Sequence, residues 1–554
     1  MKPLRVAGRS VSILAPVVLL AAILAAILAP AEVAAQQSGV NVARYRYEIT
    51  LPETGKQVAV AATIEFRVAR DVDALRLDLL APMKVSSVRL GCRTPRTAKF
   101  THDGKVVAIA LGAADTDTIS CVRVAYAGAP ADGLVISTDS AKRWRAFGDN
   151  WPNRARHWLA SIDHPSDKAL VEFRIDAPSA LRIVANGTER SRAVRGTRAV
   201  TTWATLAPIP TYLMVIAAAP LTEHDLGHTA CGLGSTGRCV PQRVFTAPEQ
   251  AWTMPGNFRF ADDIVRFFSR TVGPYPYEQL AHLQSSTRFG GMENAGAIFY
   301  SDALFRTPAG VSVNLIAHET AHQWFGNSVT EREWAHLWLS EGFATYFTAL
   351  YVEHARGADA LREHMRGLRD EIVRAAVVAA RPVLDTAQTD LMALLNSNSY
   401  AKGGFVLHML RAEVGDSAFF RGVRAYWKEH EHGNAMTADL RIAMEREAGR
   451  DLGWFFDQWL TRPGFAQVST AWTHMESNGS LSLEVTQGTR FAPFRFPLTL
   501  EIEDAEGSVK RVRVEVPAVP TVRLLLPGTW TASPKSVRVD PNVELLAEFS
   551  SHTP

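Results

Sequence analysis

Hydrophobic and polar positions follow three successive patterns along the chain. From about residue 41 to 221 they alternate with period two, as over residues 62–68. From about residue 246 to 460 the apolar positions recur at helical spacing, as over residues 339–354, and beyond residue 464 the alternation returns. Period two predicts half-buried strands, and the longer period predicts amphipathic helices. The pattern therefore predicts a multidomain α+β protein with an N-terminal antiparallel β domain, a mixed middle domain and a small C-terminal β sandwich.

The first 35 residues have the pattern of an export signal. Lys2, Arg5 and Arg9 precede an apolar run over residues 11–29, and small residues lead up to Ala35. A positive start, an apolar core and a small-residue end are typical of a signal peptide, here cleaved after Ala35. The run is long enough that an uncleaved membrane anchor is the alternative. We expect a periplasmic or secreted protein, attached to a membrane only if this segment stays uncleaved.

Length and composition narrow the classes of protein. The chain has 554 residues, of which 47% are hydrophobic and 21% charged, so it can bury several cores and is not a disordered chain. Lys and Arg total 59 against 56 Asp and Glu, a formal net charge of +3. A nearly neutral chain gives no electrostatic argument for nucleic acid as a partner.

The four cysteines agree with export, because disulfides persist in oxidising compartments. Four thiols allow three pairings. Cys92–Cys121 and Cys231–Cys239 would each close a loop within one region, so we favour that pairing. A rival interpretation groups His224 and His228 with the last two cysteines as a structural zinc site. Those cysteines are further apart than the two to four intervening residues usual in zinc sites, which favours the disulfides.

A short run of residues has the spacing of metal ligands. His318 and His322 lie four apart in His-Glu-Thr-Ala-His, inside an apolar segment that predicts a buried helix. Residues four apart share a helix face, so both imidazoles can bind one ion. Glu319 lies next to the first ligand, where it can hold a metal-bound water. The run indicates a zinc site with Glu319 as its base.

A third ligand is expected, because a catalytic zinc keeps three protein ligands and one open position. Glu341 follows His322 after 18 intervening residues, in the apolar sequence Leu-Trp-Leu-Ser-Glu-Gly-Phe-Ala. A carboxylate among apolar side chains is costly to bury unless it is paired or metal-bound. Zinc lowers the pKa of its bound water toward ~7, and a neighbouring base takes the proton as the water attacks a carbonyl. The predicted reaction class is metal-assisted hydrolysis of an amide.

A glycine-rich segment lies upstream of these ligands. Gly290 and Gly291 precede Met292, Glu293 and Asn294. Adjacent glycines let a backbone approach a ligand closely, and a carboxylate beside them can pair with the charged amine of a substrate. Taken alone, the segment is equally typical of a turn with an exposed acid.

In this order, the motifs resemble the aminopeptidase N family of zinc gluzincins, which also includes leukotriene-A hydrolase. The resemblance rests on Gly-Gly-Met-Glu-Asn, then the two histidines and the third ligand, then Asn-Ser-Tyr-Ala-Lys-Gly at residues 398–403. Residues 322–330 and 338–344 extend the match. The resemblance covers the chain from about residue 41 to its end.

The resemblance implies a role for each matching residue. His318, His322 and Glu341 would bind one zinc ion per chain. Glu319 would be the general base and proton shuttle. Glu293 would hold the free α-amine of a peptide substrate and so measure off one residue.

Other matching residues would contact the substrate itself. Tyr400 would donate a hydrogen bond to the tetrahedral oxyanion, a role that its phenol suits. Gly290, Gly291, Met292 and Asn294 would border the substrate backbone. Without the resemblance, Tyr400 would be interpreted as a core aromatic residue near the start of a helix.

The resemblance also implies the fold. It predicts an N-terminal β saddle over residues 36–225, a thermolysin-like catalytic domain over residues 226–462 and a C-terminal β sandwich over residues 463–554. The family usually ends in a large helical domain that roofs the site. In this chain the cleft is therefore expected to be more open, or to be closed by another subunit of an oligomer.

Two positions depart from the family pattern. Family members often carry a polar Gln or Glu that helps to bind the substrate amine. The corresponding position here falls near Trp151, with Asp149 and Asn150 as candidate substitutes. The family often has Asn-Asp before Leu-Trp-Leu, where this chain has Ala335 and His336. A contact that orients the zinc ligands is therefore expected to differ.

The sequence thus predicts an exported zinc aminopeptidase that removes single residues from peptides with a free N-terminus. Three alternatives stay open. A silent peptide-binding scaffold would have lost one of the chemical residues, and none is lost. A zinc endopeptidase would fit an open cleft and would ignore blocking of the N-terminus. An epoxide hydrolase would fit the Gly-Gly-Met-Glu-Asn segment but needs a lipid tunnel.

Overall fold

The computed structural model describes residues 37–69, 72–111, 119–232, 239–307 and 310–550. The predicted signal peptide over residues 1–35 lies outside the described residues. Within the described ranges, no helix combines the length and the apolar character needed to cross a membrane.

The N-terminal domain consists of strands, as the alternation predicts. Its main sheet has the order β13-β14-β11-β1-β2-β8-β4-β5, with β15 paired to β11, and a second sheet has the order β12-β16-β10-β9. The smaller sheet β3-β7-β6 packs beside them. The strands are β1 Val40–Thr50, β2 Val58–Val68, β3 Ala74–Asp78, β4 Lys84–Leu90, β5 Arg96–Thr97, β6 Phe100–His102, β7 Val106–Ala110, β8 Ser120–Gly128, β9 Leu134–Thr138, β10 Trp144–Gly148, β11 Lys168–Pro178, β12 Arg182–Ala185, β13 Thr188–Arg195, β14 Arg198–Ala204, β15 Ile209–Pro210 and β16 Ile216–Ala219.

Burial along these strands follows the sequence alternation. In β1, Tyr45, Tyr47 and Ile49 are buried while their neighbours are partly exposed. β1 pairs antiparallel with β2 and parallel with β11, so it lies in the middle of the main sheet. A one-residue shift of register would bring the polar set into the core, which is why the alternation alone predicts which face is buried.

The middle domain opens with a mixed five-stranded sheet. Its order is β17-β18-β19-β21-β20. The neighbours β18, β19 and β21 are parallel, and β20 runs antiparallel at the edge. The predicted boundary between residues 225 and 226 falls inside β17. The strands are β17 Thr222–Thr229, β18 Val240–Thr246, β19 Leu280–Ser285, β20 Gly291–Met292 and β21 Ala297–Ser301.

Helices make up the rest of the middle domain. The helix predicted over residues 339–354 is present as Trp338–Arg356, so its ends differ by one and two residues. A single π-helical turn, Asn398–Lys402, precedes α7. The short parallel pair β22 Thr330–Glu331 and β23 Asn434–Ala435 joins two loops. The helices are α1 Met254–Asn257, α2 Ala261–Thr271, α3 Val313–Ala321, α4 Trp338–Arg356, α5 Ala358–Arg374, α6 Ala376–Ala380, α7 Gly403–Val414, α8 Asp416–His430, α9 Thr437–Ala448 and α10 Gly453–Leu460.

The C-terminal domain is a sandwich of two antiparallel-rich sheets, as predicted. One sheet has the order β28-β25-β24-β30 and the other β27-β26-β29. Their inner faces carry buried aliphatic residues such as Leu483, Leu498 and Leu500. The strands are β24 Ala466–Met475, β25 Ser480–Gln487, β26 Phe496–Glu503, β27 Val509–Val516, β28 Thr521–Leu526, β29 Ser536–Val539 and β30 Ala547–Ser550.

A partly buried lysine joins the N-terminal and middle domains. The ammonium of Lys168, on β11, donates hydrogen bonds to the carbonyl oxygens of Asn327, Ser328 and Gly433 at 2.8–2.9 Å. The first two carbonyls belong to the loop that follows α3. The domain contact therefore bears directly on the loop after the helix that carries the predicted metal ligands.

The favoured cysteine pairing is confirmed. Cys92 is bonded to Cys121 and Cys231 to Cys239, and the described residues contain no free cysteine. The rival structural zinc site is wrong, because both of its thiols are consumed in a disulfide. His224 and His228 lie on strand β17 and not on a helix, and a register shift between Asp225 and Gly227 interrupts the alternation that would otherwise place residues four apart on one face.

Candidate functional site

Helix α3 presents two neighbouring polar side chains to a cleft. Its first turn is capped by Ser312, whose hydroxyl accepts a hydrogen bond from the backbone N–H of Leu315. His318 and Glu319 lie in its last turn, and His322 directly follows the helix with helical backbone angles. The N–H of His322 still donates a hydrogen bond to the carbonyl oxygen of His318, as in a helix, so the two imidazoles lie on the same face.

Glu341 reaches the two histidines from the first turn of α4. Its Oε2 lies 3.3 Å from the Nε2 of His318 and 3.3 Å from the Nε2 of His322. The two imidazole nitrogens are 3.1 Å apart. Donors that surround a tetrahedral zinc ion at bonds of about 2.0–2.1 Å are separated by about 3.3–3.4 Å. The three donor atoms therefore have the mutual spacing that one zinc ion requires, and the set of two imidazoles and one carboxylate suits zinc.

The ring of His322 is oriented by contacts at its Nδ1, the nitrogen that points away from His318 and Glu341. Its Nδ1 lies 3.1 Å from the hydroxyl of Ser340 and 3.2 Å from the carbonyl oxygen of Phe325. His336 is directed elsewhere and pairs with the Thr437 hydroxyl at 2.8 Å. The hydroxyl that contacts this proposed ligand is therefore that of Ser340, and whether the contact differs from the family pattern stays a prediction. Sequence reasoning missed Ser340, although it directly precedes the third ligand.

The electrostatic environment at the centre favours positive charge. Burial opposes a charge on His322, yet the carboxylates of Glu341 and Glu293 raise its pKa to about 10. Burial also opposes ionisation of Glu341, but the two imidazoles lower the pKa of this carboxyl to about 2. A proton or a divalent cation at this point is thus stabilised by its neighbours. These shifts arise from the same close contacts as the donor spacing, and both are typical of a metal centre.

Glu319 lies directly against the glycine-rich segment. A Cβ atom at position 291 would overlap the carboxylate of Glu319, so the backbone of Gly291 borders this side chain. Glu319 is 4% exposed. Burial raises its pKa well above the usual value of a carboxyl, with Glu293 and Glu341 adding to the effect. A carboxyl with a raised pKa is suited to accepting and passing on a proton near neutral pH.

Glu293 is held in place through its backbone. Its carbonyl oxygen accepts hydrogen bonds from the Gln323 amide at 2.9 Å and from the Asn327 amide at 2.7 Å. A carboxylate oxygen of Glu293, one of Glu319 and a ring nitrogen of His322 lie within 4.8 Å of one another. Burial raises the pKa of Glu293 to about 7. The structure thus brings this acid to the same centre as the predicted base.

Tyr400 reaches the centre from the π-helical turn. Its ring lies parallel to that of His318, at an interplanar angle of 13° and a centroid distance of 6.0 Å. Burial, followed by the neighbouring carboxylates, raises the pKa of its phenol well above 10, so the hydroxyl keeps its proton and remains a donor. The predicted place of Tyr400 near the metal ligands agrees with its position.

Three residues named by the sequence do not face the cleft. Asn294 is fully buried, and its side chain has no hydrogen-bond partner among the described residues. Asp149 is paired with Arg154 and Arg288. Neither Asp149 nor Asn150 lines the cavity, so the structure does not support either of them as a substitute for the polar amine contact.

The reason differs between the two substitutes. The carboxylate of Asp149 is 2.9 Å from one guanidinium and is already neutralised. The amide of Asn150 donates to the carbonyl of Met214 at 2.6 Å and accepts from the indole of Trp158 at 2.9 Å. The side chain of Asn150 is thus fully used within the N-terminal domain, and that of Asp149 is paired with one arginine from each domain. Trp151, which follows them, lines the cleft instead.

The predicted chemical residues share one cavity of about 460 Å³. Several further lining residues were missed, because they come from helices α3, α4 and α5 and from the segment before the π-helical turn, and nothing local marks them. Only Phe289 could have been found from the sequence, because it is an aromatic residue directly before the adjacent glycines of the predicted site. The missed residues are Phe289, Asn314, Leu315, Thr345, Thr348, His364, Leu368 and Leu395.

Two sequence profiles of one family match the chain. The peptidase M1 N-terminal domain matches residues 47–213, and the peptidase family M1 domain matches residues 259–459. Together the two matches span more than half of the chain.

Relatives of the chain carry aminopeptidase names. Aminopeptidase N of Streptomyces lividans is 28% identical over 535 residues, which are 90% of this chain and 60% of that protein. Aminopeptidase N of Lactococcus lactis subsp. lactis is 30% identical over 336 residues, which are 57% of this chain and 38% of that protein. The chain spans about two fifths of the length of several curated relatives that it matches.

Solved structures show the same fold. The M1 zinc metallopeptidase of Deinococcus radiodurans superposes with a TM-score of 0.67 at 25% identity, covering 77% of this chain and 95% of that one. Legionella pneumophila aminopeptidase A, in complex with aspartic acid, gives a TM-score of 0.81 at 17% identity, covering 94% of this chain and 61% of that one. The likeness confirms the α+β architecture predicted from the sequence.

Proposed function

Because the chain belongs to the peptidase M1 family, that of aminopeptidase N, we propose that it is a zinc-dependent aminopeptidase that removes single residues from free peptide N-termini. The observation that carries the proposal is the meeting of three groups in one cavity. These groups are the zinc-fitting donors His318, His322 and Glu341, the buried base Glu319 and the second acid Glu293. Peptide binding is also supported by a related Deinococcus structure, which holds a Tyr-Ser-Ala substrate.

The distance between the two acids limits which peptide bond is within reach. The α-nitrogen and the carbonyl carbon of an N-terminal residue are two bonds, about 2.5 Å, apart. A carboxylate of Glu293 lies within 4.8 Å of one of Glu319. An amine held by Glu293 therefore brings the first carbonyl to the base, while the next carbonyl lies a further residue, about 3.3–3.6 Å, away. This geometry favours an exopeptidase over an endopeptidase.

When bound, zinc supplies Lewis acidity, which lowers the pKa of a coordinated water toward ~7 and polarises a carbonyl. Glu319 takes a proton from the attacking water and passes it to the leaving amine. Glu293 orients the substrate through its α-ammonium. Tyr400 donates its phenolic hydrogen to the oxygen on which negative charge develops. Gly291 leaves space for Glu319, because no side chain stands between its backbone and the carboxylate.

The proposal is tested by comparing one peptide with its N-acetylated twin, using zinc-loaded protein. Hydrolysis of the free-amine peptide alone supports an aminopeptidase, whereas cleavage of both would show an endopeptidase. Glu319→Gln should lower kcat by about 10²–10⁴, the usual contribution of a general base. Glu293→Gln should lower kcat/KM for the free-amine peptide by about 100-fold, as expected when one partner of a buried charge pair is lost. No cleavage of either peptide would refute the proposal in favour of a silent scaffold or an epoxide hydrolase.

We also propose that the protein is exported. The pattern of residues 1–35 and the two disulfides support this, because disulfides persist in oxidising compartments. N-terminal sequencing of the protein from its native host should begin at Gln36. A start at or near Met1 would show instead that the segment is retained.

A further inference from the structure

The substrate cavity is mostly apolar once its chemical groups are assigned. The two histidine ligands, Glu341, Glu319, Glu293 and Tyr400 each have a proposed role. Among the other described residues that line the cavity, none carries a carboxylate, an ammonium or a guanidinium group. His364 also lines the cavity, but burial lowers its pKa, so its imidazole is neutral at neutral pH. A charged side chain of a substrate would therefore enter this space without an opposite charge to pair with. Burying a charge without a partner is strongly unfavourable.

An aromatic wall flanks the residue proposed to hold the amine. Phe289 directly precedes the Gly-Gly-Met-Glu segment, and its ring meets that of Trp151 edge to face, with centroids 6.0 Å apart. Trp151 in turn packs against Trp334 at 5.5 Å and is 3% exposed. Both Phe289 and Trp151 line the cavity, together with Met292. The wall is thus formed by large apolar side chains from two domains.

A cluster of ion pairs adjoins this wall. The guanidinium groups of Arg154 and Arg288 each donate a hydrogen bond to Asp132 at 2.7 Å, and that of Arg154 also forms an ion pair with Asp149 at 2.9 Å. Arg154 also lies 6.0 Å from the centre of the Phe289 ring. Both carboxylates of the cluster are therefore occupied by arginines of this chain. They are not free to bind a cationic substrate, and the cluster holds the two domains together beside the wall.

The side chain of the N-terminal residue must lie near this wall. It branches from the carbon between the α-amine and the scissile carbonyl. If Glu293 holds that amine, the branch begins one bond from the bound nitrogen, in the cavity that Phe289, Met292 and Trp151 line. Met292 directly precedes Glu293, Phe289 lies in the same segment, and Trp151 packs against Phe289. We propose that this wall makes the enzyme selective for peptides whose N-terminal residue is large and apolar, namely aromatic, leucine or methionine. The inference rests on the proposed aminopeptidase function and adds the substrate class to it.

The test is a panel of tripeptides X-Ala-Ala, with Phe, Leu, Ala, Lys or Glu as the first residue. Values of kcat/KM for Phe and Leu should exceed that for Ala by at least about tenfold, the usual range for filling an apolar pocket. Lys and Glu should fall below Ala. Binding of the uncut tripeptides to the zinc-loaded Glu319→Gln variant, measured by calorimetry, should rank the dissociation constants in the same order.

Substitutions locate the selectivity within the cavity. Phe289→Ala should lower kcat/KM for Phe-Ala-Ala about tenfold while leaving Ala-Ala-Ala within about threefold, and Phe289→Leu should restore most of the loss. Leu395→Ala is the matched variant, since Leu395 lines the same cavity from another segment, and it should leave the Phe-to-Ala ratio unchanged. Trp252→Ala, at a side chain that is 77% exposed and not among the lining residues, serves as the surface control.

Each unexpected result has a distinct meaning. If Lys or Glu is accepted as well as Phe, or if Leu395→Ala shifts the ratio and Phe289→Ala does not, the inference is overturned while the aminopeptidase function stands. If no tripeptide is cut by zinc-loaded protein, the proposed function falls, and this inference falls with it. Melting temperatures of the variants near that of the unsubstituted protein exclude loss of fold as the cause.

Discussion

Ser340 is the side chain through which this structure orients a proposed zinc ligand, and Ser340→Ala removes that contact alone. Its hydroxyl lies 3.1 Å from the Nδ1 of His322, and the residue is 1% exposed, so bulk water cannot replace it. Because the Nε2 of His322 faces the other donors, Nδ1 carries the ring hydrogen. After the substitution that hydrogen keeps one acceptor, the carbonyl oxygen of Phe325 at 3.2 Å.

The expected loss follows from the remaining contact. Removing a group that orients a metal ligand typically weakens metal binding 10–100-fold. One of the two partners of Nδ1 survives here, so the lower end applies, about tenfold. That is about 1.4 kcal/mol, close to the net contribution of one hydrogen bond. With zinc in excess, kcat should stay within about threefold, because Ser340 is not proposed to touch the substrate.

Competition between the protein and a chromogenic chelator measures the zinc affinity directly, without relying on activity. Thr348→Val is the matched control. Thr348 lies on the same helix and lines the cavity, but its hydroxyl donates to the carbonyl of Ala344 at 2.8 Å and not to a proposed ligand. Its zinc affinity should be unchanged.

Two results would refute this reasoning. The zinc affinity of Ser340→Ala could equal that of the unsubstituted protein within twofold, which would show that the hydroxyl does not orient His322. Alternatively, activity could be lost and not return with excess zinc, which would place Ser340 in the reaction itself.

Three further substitutions test the packing around the site. Gly326→Ala places a Cβ against the Ser340 hydroxyl at a residue whose φ is +110°, so it should cost at least about 2 kcal/mol of unfolding free energy. Lys168→Met removes three hydrogen bonds to carbonyls across the domain contact and should cost about 2–3 kcal/mol. Arg369→Met leaves Asp540, 1% exposed, without its partner at 2.6 Å and should cost about 3 kcal/mol at pH 7.5. Burial already raises the pKa of Asp540 to about 6, above its unfolded value of 3.8, and losing the arginine raises it further. The carboxyl of the variant therefore takes up its proton at a higher pH than that of the unsubstituted protein, so this cost should shrink as the pH falls from 7.5 toward about 6 and then level off.

Urea denaturation followed by tryptophan fluorescence measures all three costs. Exposed counterparts provide the controls. Lys428→Met and Arg523→Met change side chains that are 73% and 71% exposed, and each should alter the unfolding free energy by less than about 0.5 kcal/mol. Equal costs for buried and exposed positions would contradict the argument, as would a loss for Arg369→Met that does not vary between pH 5 and 7.5.

Local patterns of hydrophobic and polar residues predicted many of the strands and helices. In β1 the alternation around Tyr45 and Tyr47 is the same in the sequence and in the burial of the side chains. Helices were predicted where apolar residues recur with helical spacing. The helix predicted over residues 339–354 is α4, Trp338–Arg356, which is three residues longer. The N-terminal edge of the middle domain was harder to locate, because β17 is a strand that continues the pattern of the preceding β domain while pairing with β18.

The metal ligands were equally accessible to sequence reasoning, since two of them are four residues apart on one helix and the third begins the next long helix. Glu293 and Tyr400 needed the family resemblance, because neither lies near the ligands in the sequence. Their position in one cavity is a property of the assembled middle domain. Asn294 shows the limit of carrying over a whole motif, since it is buried and not in the cavity lining.

The sequence by itself indicated the succession of strand-rich and helical regions, favoured the cysteine pairing that the structure shows and contained the zinc-binding pattern. Each of these depends on the spacing of residues along the chain or on a short loop. Only the tertiary structure decided that Asp149 is neutralised by arginines, that Ser340 orients His322 and that Phe289 and Trp151 form one wall. The two wall residues are far apart in the sequence and belong to different domains. No periodicity records such a contact, because it depends on how whole sheets and helices pack against one another.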